Sequence, residues 1–469
     1  MLGFQYIDEI VSRLLDDSFS IFCGAGASAD ATQKSWVDIF SSKTQIFYNH
    51  GFSDDIYFLA DLERNYYNSE HFYDDIARNL EIPPNIYSNH IEAIINLNIN
   101  QFWTTNFDNA IENSIKDRFG VIPTVIKESR DLLSSKLIDT YIIYKLNGAV
   151  SDYSSMVLTK SDYFNYYKQQ RLLFEQLKRQ LVLDSFLFVG YSFKDDLVLS
   201  ALREIKETFP ENGNYHYRFV TRNYAEAHGN PDSKLRDEFD KLEEQYFFDK
   251  YNIKTIATHS FLEIDDYLNE TYKRFCNHNV FFCGSFREIP TEDRQKIERI
   301  VDVLVSTLFQ NQFQIYSGNG RGLGEIVFAQ ADKHKKRLGG KLINRPLIFS
   351  GDDLTEKEKK NHFIMKDCNT IIIICGQDET LQASKNVKTQ FEMFLDAKSH
   401  CAGVMPLVIP IPATGFAAEE IFYCDTFRNS LCYRTEKEVY KRLEFCQSAE
   451  EIASIIVNLI RAHSSDPNS

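Results

Sequence analysis

Unbroken apolar runs are short in this sequence. None approaches the ~18 residues that a membrane-spanning helix needs, so a membrane protein is not expected. Paired cysteines are also missing: the nine cysteines stand singly at 23, 276, 283, 368, 375, 401, 424, 432 and 446. Without a C-x-x-C, neither a disulfide frame nor a zinc site is expected, and the thiols read as reduced core residues. Positive charge is scarce as well, with 52 Lys and Arg against 67 Asp and Glu, a formal net charge of −15 and a pI near 5.3. Non-specific attraction to nucleic acid or anionic lipid depends on clustered cations, so the expected partners are small molecules or proteins, with no nucleic acid and no membrane. The opening "MLGFQYIDEIVSRLLDDSFS" lacks the basic head and apolar block of a signal peptide, and it reads as a surface helix of a cytoplasmic protein. His50, His71, His90, His216 and His259 show no metal-ligand spacing, and no metal is assigned.

The 469 residues exceed the ~250–300 at which one core stops growing, so two domains are expected. Apolar strand-like runs alternate with amphipathic helices: "SIFCGAG", "QFWTTNFD", "TYIIYKLNG", "SFLFVGYS", "YHYRFVT" and "IKTIATHS" in the first part. Strands apolar on both faces imply a parallel sheet covered on each side by helices. A segment rich in Tyr, Phe, Asp and Asn from about 55 to 100 interrupts this alternation and reads as a helical insertion. A second series begins at "VFFCGSF" and continues through "FQIYSGNG", "KLINRPLIF", "NTIIIICG" and "VMPLVIPIP". The expected fold is therefore α/β, two consecutive Rossmann-like domains with parallel sheets over residues 1–275 and 279–465, the first carrying the insertion. Trp36 and Trp103 read as buried anchors, and the aromatic stretch "YFNYYKQQ" as helix packing.

Chemistry concentrates where strands end. In "SIFCGAGASAD" a strand runs into Gly24-Ala25-Gly26, followed by Ser28 and Asp30. Glycines permit close backbone approach, and N–H groups at a helix start favour an anion, though a ligand-free tight turn has the same composition. "WTTNFDNAIE" places Thr105, Asn106 and Asp108 after the next long strand, where ligand contacts and helix capping are both available roles. Further polar strand ends are "YKLNGAV" with Asn147 and "FVGYSFKDD" with Gly190, Ser192 and Asp195.

This ordered set, over roughly residues 1–270, resembles the sirtuin-like NAD-binding family. Gly24-Ala25-Gly26 with Ser28 matches its G-A-G-x-S, Thr105 and Asn106 with Asp108 its T-x-N-x-D, and Gly190-x-Ser192 with Asp195 a late motif of the same domain. The resemblance implies that the glycine loop holds the NAD pyrophosphate, that Asn106 and Asp108 sit around the nicotinamide ribose, and that the late motif contacts the adenosine half. The family's K-L-H-G is here K-L-N-G. A histidine can accept a proton from a ribose hydroxyl as the glycosidic bond breaks, whereas the amide of Asn147 can only hydrogen-bond. Turnover is therefore expected to fall by ~10²–10⁴. Two explanations stand: a deliberate substitution that silences a toxic enzyme, which the otherwise intact motif set favours, or a natural variant that binds without efficient turnover. The zinc ribbon of protein-deacetylating sirtuins is absent, which makes hydrolysis of NAD the expected reaction over deacylation.

A similar device recurs in the second series. "VFFCGS" with Gly284 and Ser285, "YSGNGRGLGE" with Gly318, Gly320, Gly322 and Gly324, and "SKNVKTQFEMF" with Glu392 resemble the SLOG family of nucleotide-binding folds. The compact P-G-G-x-G-T-x-x-E of its enzymatic members is missing, which points to a sensor. The resemblance implies phosphate contacts from the glycine loop and Ser285, added charge from Arg321 or Arg345, and a ribose contact from Glu392. For the arginines an ordinary solvated side chain, and for Glu392 a helix-surface carboxylate, are the plain alternatives. A sirtuin-like domain followed by a SLOG domain resembles the effectors of the Thoeris anti-phage system. That implies an NAD hydrolase gated by a cyclic ADP-ribose isomer, a TIR-domain protein that makes this signal, and a homo-oligomer, either tetramer or filament. A non-hydrolysing NAD or ADP-ribose sensor is the alternative.

Overall fold

The computed structural model describes residues 4–464 apart from 35–36, 41, 67–68, 81, 83–85, 135–140, 194–195, 211–213, 223–232, 319, 345–364, 379, 381 and 400–405; residues 42, 69–71, 134, 167–169, 196, 233–234, 344, 399 and 464 are described by main chain alone. Trp36, Asp195 and Arg345 thus lie outside the described residues. The chain divides into two compact units, Met1–Thr271 and Tyr272–Ser469.

The first unit is built on seven strands: β1 (Phe19–Cys23), β2 (Gln101–Thr104), β3 (Thr124–Ile126), β4 (Ile142–Lys145), β5 (Ser185–Val189), β6 (His216–Thr221) and β7 (Ile253–Thr258). They run in the order β3-β4-β2-β1-β5-β6-β7, and each neighbouring pair is parallel. Every residue of β1 and β5 is buried, which is why their sequences are continuous apolar runs without alternation. Trp103 on β2 is fully buried and stacks on its register partner Tyr144 of β4, with ring centroids 4.0 Å apart. β3, only three residues long, was not anticipated from the sequence; so short a run carries no legible period.

The interrupting segment is helical, as expected. Helices Ile56–Tyr66, Ser69–Leu80 and Asn89–Asn96 follow one another, preceded by Ser42–Asn49. Their apolar faces form a satellite core, with Phe40, Ile56, Phe72 and Ile76 packed against Phe107, Met156 and Leu158. Phe107 belongs to the segment that follows β2, so the insertion packs on the side chain that lies between Asn106 and Asp108 in sequence.

The long helix Ser233–Tyr251 buries Phe247 and Tyr251 in the core and one carboxylate, Asp240, with them. Asp240 and Glu243 turn inward to pair with Arg222 and Arg218 of the β6 region at 3.2 and 3.0 Å. Leu235, Phe239, Leu242 and Tyr246 face outward, each at least half exposed.

The second unit has five parallel strands: β8 (Asn279–Cys283), β9 (Gln314–Ser317), β10 (Leu342–Asn344), β11 (Thr370–Ile373) and β12 (Leu407–Pro410), in the order β10-β9-β8-β11-β12. Helix Thr291–Gln310 buries Ile297, Ile300, Val301, Leu304, Val305 and Leu308, an i, i+3, i+4, i+7 series that reads directly from its sequence. The eight described cysteines are free and all but Cys424 are buried, while Cys401 lies outside the described residues. No helix among the described residues is long and apolar enough to cross a membrane.

His216 opens β6 inside the sheet, where its Nδ1 accepts from the Phe186 N–H at 3.1 Å. Burial lowers its pKa from 6.5 to about 3, so the folded protein holds it neutral. Because the unfolded chain takes up the proton first, the stability contributed by neutral His216 is complete above pH 6.5 and is lost as pH falls from there toward 3. Lowering the pH from 7.5 to 5 should cost about 2 kcal/mol through this residue alone. Chemical denaturation across that range should show a shallower slope for His216→Asn, which retains an acceptor but does not titrate.

Candidate functional site

In the first sheet the chain winds outward from β1 through β2 to β4 and β3, then returns to add β5, β6 and β7 on the other side. The carboxyl ends of β1 and β5 therefore bound the switch-point crevice in which parallel α/β sheets take ligands. The four strands whose ends carry the polar motifs, β4, β2, β1 and β5, are consecutive neighbours. One sheet edge thus gathers Asn147, then Thr105, Asn106 and Asp108, then Gly24 to Ser28, then Gly190 to Ser192.

The glycines there are required by a crossing of main chains. The N–H of Gly24 donates to Val189 O at 2.9 Å, and that of Gly26 to Gly190 O at 3.0 Å. A Cβ on Gly24 would lie 2.4 Å from the Gly190 carbonyl oxygen. One on Gly190, whose φ is +64°, would lie 2.1 Å from Ala27 N. The sequence suggested that these glycines let the backbone approach a phosphate, with N–H groups at the following helix start favouring the anion. The N–H groups of Gly24 and Gly26 themselves are spent on the β5 strand end, and the helix that follows, Ala29–Thr32, is a single turn. The turn is a rigid joint first, and any phosphate must take its donors from other groups.

Around that joint the polar side chains form a directed network. Thr104 Oγ1 donates to Cys23 O at 2.8 Å and accepts from the Asn106 N–H at 2.9 Å. Both amide hydrogens of Asn106 are engaged, with Gly24 O at 2.9 Å and Ser28 Oγ at 3.1 Å. Ser28 Oγ in turn donates to Asp108 Oδ2 at 2.9 Å, and Asp108 Oδ1 accepts from the Ala110 N–H at 3.0 Å. This fixes the amide orientation of Asn106, leaving its Oδ1 as the acceptor for a hydroxyl or water. Asn106, Asp108 and Ser28 are each at least nine-tenths buried. Cys23 is no nucleophile, since burial first and the charge of Asp108 second push its thiol pKa far up.

Asn147 is buried two residues past the end of β4, with its Nδ2 3.5 Å from Tyr163 Oη, itself 3.3 Å from Tyr57 Oη on the insertion. Thr105 is half-buried and Ser192 exposed. Asp30 is exposed, its carboxylate accepting from the N–H groups of Ala31 at 3.0 Å and Asn89 at 2.8 Å, so it pins the start of helix Asn89–Asn96. Ser88 helps from the other side, its hydroxyl donating to Ala27 O at 2.6 Å. The sequence reading missed Ser88, Thr104 and Lys145; Thr104 and Lys145 lay inside motifs already singled out. A cleft of about 720 Å³ opens nearby, lined by Asp74, Arg78, Asn109, Asn113, Val150 and Tyr153 among others. It abuts the insertion and contains none of the residues chosen from the sequence.

The second sheet repeats the plan at the β8 and β11 ends. A Cβ on Gly284, at φ +157°, would meet Ile374 O at 2.0 Å, and one on Gly320 would meet Gly284 O at 2.0 Å. Gly322, at φ +73°, packs on Phe286 and precedes helix Leu323–Leu338. Ser285 O accepts from the N–H groups of Gly376 and Gln377 at 3.1 and 2.7 Å, while Ser285 Oγ donates to Gln377 O at 3.3 Å. Gly318 and Gly320 are half-buried, Gly324 is buried in the first turn of that helix, and Arg321 is exposed. Glu392 is exposed on helix Lys385–Ser399, opposite the buried Phe391 and Phe394, as the plain reading of a helix-surface carboxylate has it. No described cluster of three or more His, Cys, Asp or Glu is arranged to hold a metal.

Comparison with known proteins agrees with this division. Residues 100–256 match the SIR2-like domain family, and residues 263–463 match the Sir2- and TIR-associating SLOG family. Over 97% of its length the chain is 25% identical to the NAD(+) hydrolase ThsA of Cytobacillus dafuensis, covering 96% of that protein. It is 27% identical to the ThsA of Acinetobacter baumannii and 24% identical to that of Bacillus cereus, each over 89% of this chain and covering 89% and 88% of the relative. Two successive stretches of the chain are thus similar to the SIR2-like and the Sir2- and TIR-associating SLOG domain families, and almost its whole length is similar to proteins named NAD(+) hydrolase ThsA.

The crossing at Gly190 makes a specific demand. Gly51 also has positive φ, +70°, but a Cβ there meets nothing within 4 Å. Gly51→Ala should cost about 1–2 kcal/mol of left-handed strain. Gly190→Ala should add about 1–3 kcal/mol of overpacking and separate the β1 and β5 ends. Thermal melts of the two variants, with nucleotide affinity by calorimetry, check this: only Gly190→Ala should lose binding.

Proposed function

We propose that this chain is the effector of an anti-phage defence, an NAD glycohydrolase of the ThsA kind whose turnover is lowered by Asn147. The observation that carries this reading is the Asn106, Ser28 and Asp108 network at the β1/β5 switch point, supported by similarity to NAD(+) hydrolases along almost the whole chain. NAD is the substrate. Its pyrophosphate lies over the turn from Gly24 to Ser28, its adenosine half toward Gly190 and Ser192, and its nicotinamide ribose between Asn106, Asp108 and Asn147, with Thr105 alongside. In the reaction the glycosidic bond breaks with its electron pair leaving on nicotinamide, water adds to the ribosyl carbon, and a proton is released to give ADP-ribose. The Oδ1 of Asn106 orients the water or a ribose hydroxyl. Asn147 holds a hydroxyl by hydrogen bonding but accepts no proton, which removes a general base worth ~10²–10⁴ in rate.

The second unit would act as the sensor, taking a cyclic ADP-ribose isomer at Gly284, Ser285 and the loop from Gly318 to Gly324. Such a ligand, made by a TIR-domain partner, shifts the active–inactive balance only by its difference in affinity for the two states. Homo-oligomer assembly as tetramer or filament completes the reading, and the outward stripe of Leu235, Phe239, Leu242 and Tyr246 offers apolar surface for contact with another copy. One observation favours a second reading, a sensor with native Asn147: the amide is buried, with its Nδ2 3.5 Å from Tyr163 Oη.

NAD loss followed by chromatography separates the two. The Asn147→His chain should consume NAD about 10²–10⁴ times faster than the chain as it stands, and only with a cyclic ADP-ribose isomer present. Binding of NAD by both proteins without loss in either establishes the sensor instead.

A further inference from the structure

Lys145, the last residue of β4, is 1% exposed, and the sequence gives no hint that so polar a group is buried. It pairs in register with Thr104, the residue before the Thr105–Asn109 segment. From there its ammonium crosses to the far end of that segment. It donates to Asp108 O, to Phe107 O at 3.4 Å, and to Glu112 Oε1 at 2.8 Å. The segment is therefore held at one end by the β2–β4 ladder and at the other by this cation together with the Val150 N–H, which donates to Phe107 O at 3.1 Å. Between those fixed points lie Asn106 and Asp108, whose side chains complete the network with Gly24 and Ser28.

Stability alone is a poor reason for such an arrangement, because a buried ion pair is commonly replaced by well-packed apolar groups at little or no loss. What an apolar side chain cannot do is hold the Asp108 carbonyl oxygen while sharing that of Phe107 with the Val150 N–H. We propose that Lys145 is a positioning residue: by gripping the Phe107 and Asp108 carbonyls it sets the main chain that aims Asn106 and Asp108 at the nicotinamide ribose. This rests on the NAD reading of the same site. Lys145 touches no reacting atom; its effect travels through the segment it holds.

The test uses the full chain. Lys145→Met alone strands Glu112 and is expected to destabilise, so the informative variant is Lys145→Met/Glu112→Gln, which removes both charges and should melt near the parent. Calorimetry then compares NAD with ADP, which lacks the nicotinamide ribose. The double variant should bind ADP as the parent does but lose roughly tenfold in NAD affinity. In the Asn147→His background it should lose about 10–100-fold in turnover, the scale expected when a reacting group is misplaced by about an ångström. Lys145→Arg, which keeps donors on both carbonyls, should recover part of both. A folded double variant with unchanged NAD affinity and turnover, or with NAD and ADP weakened alike, overturns the proposal. Failure of the unaltered chain to bind NAD at all overturns instead the NAD reading on which it rests.

Discussion

Everything at the sheet edge of the first unit depends on how closely the ends of β1 and β5 cross. Two main chains approach until Gly24 and Gly26 donate to Val189 and Gly190, a distance that no side chain at these positions would allow. Once that joint is made, the Gly24 carbonyl and the Ser28 hydroxyl sit where the amide of Asn106 must find them, and Ser28 passes the orientation on to Asp108. The side chains thus inherit their directions from a backbone constraint, which is how a site held mostly by neutral hydrogen bonds achieves fixed geometry. Lys145 closes the frame from the far side of the same segment.

The second unit uses the same constraint with different residues. Gly284 packs against the Ile374 carbonyl as Gly24 packs against Gly190, and Gly320 and Gly322 lie against Gly284 and Phe286. The recurrence of glycine-rich turns along the chain therefore has a common cause: in each sheet the first strand lies beside a strand from the second half of the unit, and their carboxyl ends crowd at the switch point. What differs is the polar equipment. The first edge carries an Asn–Ser–Asp network beside Asn147, whereas at the second the Ser285 main chain is bound to Gly376 and Gln377.

Much of this was legible in the sequence because the physical signal was local. Apolar runs ending in glycine or polar residues gave the parallel strands, and the helical period of "EDRQKIERIVDVLVSTLFQ" gave a buried face. Asn106, Asp108 and Asn147 were found because strand ends in parallel sheets are where side chains reach ligands. Non-local matters were hidden. The order of strands, the three-residue β3 and the partners of each glycine depend on contacts between distant segments. The glycines stand where the sequence put them, and a close main-chain crossing demands the same residue as a phosphate cradle, so composition alone does not separate the two. A buried lysine and an exposed apolar stripe run against what composition teaches about exposure, so neither Lys145 nor the outward stripe of helix Ser233–Tyr251 was anticipated.

The central claim is that the nicotinamide ribose of NAD lies at the β1/β5 switch point against Asn106. A crystal structure of the unaltered chain grown with NAD tests it most directly, because Asn147 should allow the substrate to persist. The account predicts the pyrophosphate over the turn from Gly24 to Ser28 and the ribose hydroxyls within hydrogen-bond distance of Asn106 or Asn147. NAD bound instead in the cleft of Asp74, Arg78, Asn113 and Tyr153, or only at the β8/β11 edge of the second unit, would contradict it.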